Sequence, residues 1–484
     1  MKKYYKRIGK ILTLIVTFTM LLTFNYGCQE EEYSSELVEA AYEYFALPEF
    51  PNMVIGDRLF PVYFVSTAEE FNNIRKYKDR SFIITNDIDL SSIDNFEPIG
   101  TKDDPFRGEI ASACISLWGD RNCGKPICLY QESGYCIEGC RIDTPDKHPY
   151  RTISNVNIKI TDDNYYEYAG VFGYTDESDV SYYIEGYNHI TGHKLNSKSY
   201  KNRYKTSGII FSNVNIEVES TKPVIVGGVF GRCERARNTY IVNSIIKGNY
   251  VVGGIFGVSA NYQGIVGNTQ ALFNYIEITP ITENAILGGQ AGIVERESSF
   301  VINNYNDIYV NENEYSSSTL VGGVAGKMTT YKDCCYINLT IRGFMIGDYN
   351  VSNAKFGLGV GSILESEDKT RDCKTGEELR KICEQRERIV SLSGFLVKEE
   401  YKDYPIIYSF FDEKNKDVLE EYTNGKNKGE VFNIEHEYFS IRTYHILDGY
   451  EYPIVYFMNE FETKLLPHIE DYLNSKKYNI KNIC

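Results

Sequence analysis

The sequence predicts an all-β chain built as a stack of repeats, and three observations carry that prediction. Across 484 residues Tyr, Asn, Ile and Val are abundant, whereas Pro (13), Met (6) and Trp (1) are scarce, a bias toward pleated strands joined by many turns. A glycine-marked block recurs as Ala169-Gly170-Val171-Phe172-Gly173, Val226-Gly227-Gly228-Val229-Phe230-Gly231, Val252-Gly253-Gly254-Ile255-Phe256-Gly257, Leu287-Gly288-Gly289-Gln290-Ala291-Gly292 and Val321-Gly322-Gly323-Val324-Ala325-Gly326, with a degraded copy at Leu358-Gly359-Val360-Gly361. A second element alternates with it, as in Ser154-Asn155-Val156-Asn157-Ile158, Ser212-Asn213-Val214-Asn215-Ile216 and Val242-Asn243-Ser244-Ile245-Ile246. The interval, about 30 to 35 residues, is that of stacked repeat architectures.

Each repeat offers two short apolar strands, and no such unit buries its apolar side alone, so neighbours must stack. Gly170 and the pairs Gly227 and Gly228, Gly253 and Gly254, Gly288 and Gly289, and Gly322 and Gly323 call for a positive φ or a close backbone approach at a corner. The recurrent Asn tolerates left-handed backbone and, stacked on copies of itself, makes amide ladders. These residues are expected to build the stack and not to touch a ligand.

In chain order, residues 1–27 read as a signal peptide. Lys2, Lys3, Lys6, Arg7 and Lys10 precede an apolar run over 11–24, about 14 residues where a spanning helix needs roughly 20. Asn25-Tyr26-Gly27-Cys28 then resembles the lipobox of bacterial lipoproteins, which implies a lipid on Cys28 and a membrane as partner. Asn25 and Tyr26 depart from that pattern, so plain secretion stays open. Residues 28–57 read as a tether, in which Gln29-Glu30-Glu31-Glu32 resembles the acidic export signal of some Bacteroidetes-like surface lipoproteins or is a solvated run. The expected location is the cell surface or outer membrane.

The repeat domain is assigned to 58–370. It is interrupted by a cysteine-rich insert over 109–150 and a polar loop over 175–206. In an exported protein Cys114, Cys123, Cys128, Cys136 and Cys140 are expected to form disulfides. The alternative is a zinc site made by Cys123, Cys128, Cys136 and Cys140, whose spacings are tolerable for that ion. Residues 371–484 read as a small α+β cap, with a helix beginning near Thr375 and another over 461–475.

The V-G-G-[VI]-x-G blocks resemble the GLUG motif of bacterial surface proteins, which also lies beside the zinc peptidases that cleave immunoglobulin A. The upstream passage agrees: a capping box at Ser66-Thr67-Ala68-Glu69, then Ile83-Ile84-Thr85-Asn86-Asp87-Ile88-Asp89-Leu90, Pro98-Ile99-Gly100 and Phe106-Arg107-Gly108 in the family's order. Downstream, Tyr444-His445-Ile446 with Gly449-Tyr450-Glu451-Tyr452-Pro453 resembles the closing passage, with Tyr444 in place of Trp. The resemblance implies a right-handed parallel β-helix, a solenoid.

The chemistry is conspicuous by what is missing. A formal net charge of −16 leaves no region basic enough to replace phosphate counterions, so nucleic acid is not an expected partner. A zinc peptidase needs H-E-x-x-H on a helix, and neither His436-Glu437 nor His189 with His193 supplies it. Asp87 and Asp89 share a strand face and are available for acid–base work, yet they belong to the opening passage, where a turn or cap role is expected. No cofactor is expected. The reading is a non-catalytic surface lipoprotein that binds a glycan or a protein of a host or neighbouring cell. The loop tyrosines Tyr182, Tyr183, Tyr187, Tyr200 and Tyr204 are its contact candidates. The alternative is a polysaccharide lyase or hydrolase, which requires a groove with converging acids.

Overall fold

In the computed structural model the described residues are 35–55, 61–112, 151–176 and, with short breaks, 205–366, together with 390–393, 404–405, 407–410, 444–446 and 453–455. They are predominantly strand, and nearly all pairings are parallel. The helices expected near Thr375 and over 461–475 lie outside the described residues. Of the closing passage, Tyr444–Ile446 and Pro453–Val455 form an antiparallel pair.

Part of the stretch expected as a tether is folded. Helix α1, Ser35–Phe45, is followed by the strand Met53–Ile55, which pairs antiparallel with Pro61–Val65. Phe50 packs against Tyr63 and Phe82, and the Tyr63 hydroxyl donates to the Phe45 carbonyl at 2.8 Å. These contacts cover the first parallel strands, whose open edge would otherwise invite pairing with another chain. Helix α2, Ala68–Asn73, begins one residue later than the sequence suggested. Thr67, not Ser66, is the N-cap. Its hydroxyl accepts from the Glu70 N–H at 3.2 Å, and Glu70 Oε2 accepts from the Thr67 N–H at 3.1 Å. The preceding Ser66 donates to the same carboxylate from its N–H and its hydroxyl. With the box at Thr67 and Glu70, Phe71 and Ile74 both lie fully buried under the helix.

The repeats form three large parallel sheets and a smaller parallel one that takes Gly264–Ile265, Ser298–Val301, Leu339–Arg342 and Val390–Ser393. One takes Tyr168–Ala169, Ile225–Gly227, Val251–Gly253, Ile286–Gly288, Leu320–Gly322 and Lys355–Gly357 in order. The next takes Phe172–Tyr174, Phe230–Cys233, Phe256–Ser259, Ala291–Val294, Ala325–Tyr331, Val360–Ser366 and Ile407–Phe410. The largest holds the asparagine elements and the strands before them, such as Arg237–Val242 and Ile245–Gly248. A glycine block is therefore two strands in two sheets, and a full repeat supplies four strands where the sequence suggested two.

The corner between those two strands explains the glycines. A Cβ on Gly253 would sit 2.0 Å from the Phe256 carbonyl oxygen, and one on Gly288 would sit 1.8 Å from that of Ala291. The constraint is close approach; among the described glycines only Gly100 and Gly208 have positive φ. Left-handed backbone falls instead to the asparagines, at Asn155, Asn213 and Asn243 with φ of 58°, 52° and 51°. The expected amide ladder is present: Asn243 Nδ2 donates to Asn213 Oδ1 at 2.7 Å, and Asn213 Nδ2 to Asn155 Oδ1 at 3.2 Å. In-register stacking also places like side chains about 4.8 Å apart. Inside the stack Phe172, Phe230 and Phe256 form a column with ring centroids 5.4 and 5.6 Å apart, each burial worth about 1.5–3 kcal/mol.

Candidate functional site

Two long insertions interrupt the strands, and their four roots meet. The first leaves after Ser112 and returns at Arg151; the second leaves after Asp176 and returns at Lys205. Ser112 Oγ donates to the Gly208 carbonyl, and Arg151 pairs in register with Ile209. The Asp176 N–H donates to the Phe106 carbonyl at 3.1 Å. Lys205 Nζ donates to the Arg107 carbonyl at 3.0 Å. Segments far apart in sequence thus spring from neighbouring strands.

Beneath these roots lies a cluster of charged residues that the sequence reading did not single out. Glu109 and Lys205 stand opposite one another on adjacent parallel strands, since the next residues, Ile110 and Thr206, are register partners. Both are buried, at 8% and 1% exposure. The Glu109 carboxyl accepts no hydrogen bond from any described residue, and burial pushes it up to about 8 against the pull of Lys205. Burial lowers the Lys205 ammonium in turn, opposed by Glu234, Cys233, Glu109 and Asp176. In both groups desolvation disfavours the charged form and outweighs the attraction between them.

Glu234 is tied more firmly. Its Oε2 accepts from the Thr175 hydroxyl at 2.7 Å, and its Oε1 pairs with Arg232 at 2.6 Å. Burial still raises its carboxyl, with Arg232 and Thr175 working against the rise. Arg232 reaches Glu295 at 3.4 Å and lies 4.9 Å from the centre of the Tyr174 ring. Arg232 thus joins Glu234 to Glu295, while Glu109 and Glu234 are both buried and Glu234 is engaged by Thr175 and Arg232. Glu295 and Asp176, by contrast, are exposed.

The other acidic pair is structural. Asp87 Oδ1 accepts from the Thr152 N–H at 2.9 Å. Asp89 Oδ1 accepts from Asn155 Nδ2 and the Ser91 N–H, both at 2.9 Å, so it terminates the asparagine ladder. The Asn155 amide and then the Ser91 N–H hold the Asp89 carboxyl below the usual carboxylate range. On the outer face of the largest sheet Ile245 is 44% exposed, and Tyr275 stacks on Tyr309 with centroids 4.7 Å apart.

Among the described residues no three His, Cys, Asp or Glu side chains are grouped to hold a metal ion. No described helix is long and apolar enough to cross a membrane. The repeat glycines stand at the corners described above. Cys28, the cluster Cys114, Cys123, Cys128, Cys136 and Cys140, and Tyr182, Tyr183, Tyr187, Tyr200 and Tyr204 lie outside the described residues. The signal that would have found the ionic cluster was present in the sequence. Charges interrupt strand-like runs at insertion boundaries in Arg107-Gly108-Glu109-Ile110 and Tyr204-Lys205-Thr206, and again in Gly231-Arg232-Cys233-Glu234. No family model matches the chain, and no curated protein and no solved structure matches it.

Proposed function

We propose that this chain is an exported, lipid-anchored surface protein that binds a glycan or a protein of another cell without catalysis. In this reading the three large parallel sheets are the walls of a right-handed β-helix of GLUG-type repeats, and Cys28 carries the lipid. The observation that supports it best is the meeting of the four insertion roots. A stack with two long insertions springing from one place, tied by Ser112, Asp176, Lys205 and their carbonyl partners, offers a rigid base for loop-borne recognition. The second insertion brings Tyr182, Tyr183, Tyr187, Tyr200 and Tyr204, side chains that give amphipathic contact area at low entropic cost.

The test is an array of bacterial and host glycans with extracellular-matrix proteins, probed with the chain and with a variant in which 177–204 is replaced by a short turn. Binding lost in the variant while the far-ultraviolet spectrum is unchanged supports the reading. Turnover of any polysaccharide on the array overturns it in favour of an enzyme. Anchoring is separable: Cys28→Ala should release the protein from the membrane fraction, and protease added to intact cells should degrade the native form.

A further inference from the structure

Five stacked strands, Asn157–Ile160, Asn215–Val218, Ile245–Gly248, Gly267–Ile278 and Asn304–Val310, present an outer face to which the binding reading gives no role. Alternate residues of each strand point outward, and the parallel register sets them in columns at about 4.8 Å per rung. One column reads Lys159, Glu217, Lys247 and Glu277. Beside it runs a second, of Asn157, Asn215, Ile245 and Tyr275. Tyr309 follows Glu277 in the first column and stacks on Tyr275. Ile245, 44% exposed, therefore stands beside an aromatic pair in the middle of an otherwise polar face.

We infer that this face is the interface of a homodimer, in which two stacks pack face to face with their rungs in opposite order. The charges alternate in sign along the stack, so the column Lys159, Glu217, Lys247, Glu277 is the complement of itself read backwards. A second copy, turned by half a revolution about an axis along the strands and between the rungs of Glu217 and Lys247, sets Lys159 against the partner's Glu277. It also sets Glu217 against the partner's Lys247. Each pairing occurs twice, as an isologous interface requires. The chain as a whole carries −16, so two copies repel over most of their surface. On this face the balance is close to even: two lysines stand with three glutamates, counting Glu219, which holds Lys159 at 2.7 Å. Lys247 lies 3.9 Å from Glu217 of its own chain with 39% of its side chain exposed, a loosely paired cation open to a second carboxylate. Ile245, Tyr275 and Tyr309 supply the apolar centre. Five rungs by about five residues cover roughly 24 by 16 Å, about half of the ~800 Å² per partner of a standard interface. The dimer is accordingly weak, with a Kd on the order of 10–100 µM. The inference does not rest on the binding reading, and its failure leaves that reading untouched.

The experiment is sedimentation velocity on the purified full chain from about 1 to about 200 µM, at low salt and at about 0.5 M salt. A monomer–dimer equilibrium that moves toward monomer at high salt is expected. Glu217→Lys and Lys247→Glu each set like charges against one another twice, and each should weaken dimerisation at least about tenfold. Mixed in equal amounts, the two variants should recover a dimer with one copy of each, because the substituted positions then meet with opposite signs. Energy transfer between donor-labelled Glu217→Lys and acceptor-labelled Lys247→Glu chains reads that recovery. Ile245→Arg should abolish the dimer at both salt concentrations while the far-ultraviolet spectrum stays unchanged. A chain that remains monomeric at about 200 µM overturns the proposal. So does a dimer indifferent to Lys247→Glu and Ile245→Arg, which would put the contact on another surface. Variants that each lose the dimer yet show no energy transfer when mixed overturn the reversed order of rungs. A monomeric native chain whose retention on the glycan array is lost in Ile245→Arg would give the face to a glycan instead.

Discussion

The rungs around 168–260 and those around 285–363 share one backbone register and differ in what fills it. In the earlier rungs Phe172, Phe230 and Phe256 stack, Val229 and Ile255 are wholly buried, and asparagine occupies each left-handed corner. In the later rungs the aromatic column continues as Ala291 and Ala325, and Gln290 stands where Val229 and Ile255 stood. A buried polar ladder appears beside it. The Ser244 N–H donates to Asn274 Oδ1 at 3.0 Å, Asn274 Nδ2 to Asn306 Oδ1 at 2.8 Å, and Asn306 Nδ2 to the Gly289 carbonyl at 3.1 Å. Gln290 Nε2 bonds Thr269 Oγ1 at 2.7 Å, while its Oε1 has no partner. The backbone tolerates either filling because the glycine corners and the parallel ladder, not the core side chains, set the rung spacing.

If that is right, the corner glycines are the one feature on which both halves depend equally. Gly253→Ala and Gly288→Ala should each cost more than about 4 kcal/mol, since a Cβ at either would meet a backbone oxygen at 2.0 Å or less. Chemical denaturation of the two variants checks this, and a mild effect at Gly288 alone would mean that the later corner is looser than the earlier one. Next in size, Phe230→Ala should cost about 3–4 kcal/mol, because it removes the ring stacked on both Phe172 and Phe256. The later rungs already carry Ala at that column position, so Ala325→Gly should cost roughly 1 kcal/mol. A comparable loss at both sites would erase the distinction drawn between the halves.

The polar ladder sharpens the comparison further. Asn274→Ala should cost about 2–3 kcal/mol, because it strands the buried Ser244 N–H and removes the amide bond to Asn306 Oδ1. Gln290→Leu should fall within about 1 kcal/mol of the native protein: it loses the bonds to Thr269 but also removes an acceptor that is buried without a partner. Thermal midpoints measured side by side give the ordering, and a Gln290→Leu loss as large as that of Asn274→Ala would show that the glutamine belongs to the ladder.

This contrast also marks how much was legible in the sequence. Repeated glycines and asparagines fixed the stacking and the ladder because each type answers one local demand, close approach or left-handed backbone. The capping box slipped by a residue because Ser66 with Glu69 and Thr67 with Glu70 satisfy the same pattern, and only the burial of Phe71 and Ile74 separates them. The split of each glycine block into two strands was hidden for a related reason: an apolar run reads the same whether or not it turns at its centre. Part of the expected tether folds because Phe45 and Phe50 find partners in Tyr63, Arg80 and Phe82, residues that follow in sequence but carry no local mark of the contact. The ionic cluster was missed because Glu109, Lys205 and Glu234 are unremarkable singly. Only the register that folds two insertions back to one place turns them into a site.

The smallest expected effect lies at the ladder's outer end. Asp89 is exposed, and the hydrogen bonds from Asn155 and Ser91 hold its carboxyl below the usual carboxylate range. A carboxyl whose folded pKa is depressed contributes stability above its unfolded value, and that contribution is lost as pH falls through the folded value. Asn155→Ala should therefore raise the Asp89 titration midpoint, followed by carbon-detected nuclear magnetic resonance, and narrow the acid window over which the ladder contributes. Asn155→Gly should raise it equally while sparing the left-handed corner, so its thermal midpoint should lie above that of Asn155→Ala by the cost of that corner, about 1 kcal/mol. Equal midpoints would mean that the ladder, and not the φ of 58° at Asn155, is what the asparagine supplies at that rung.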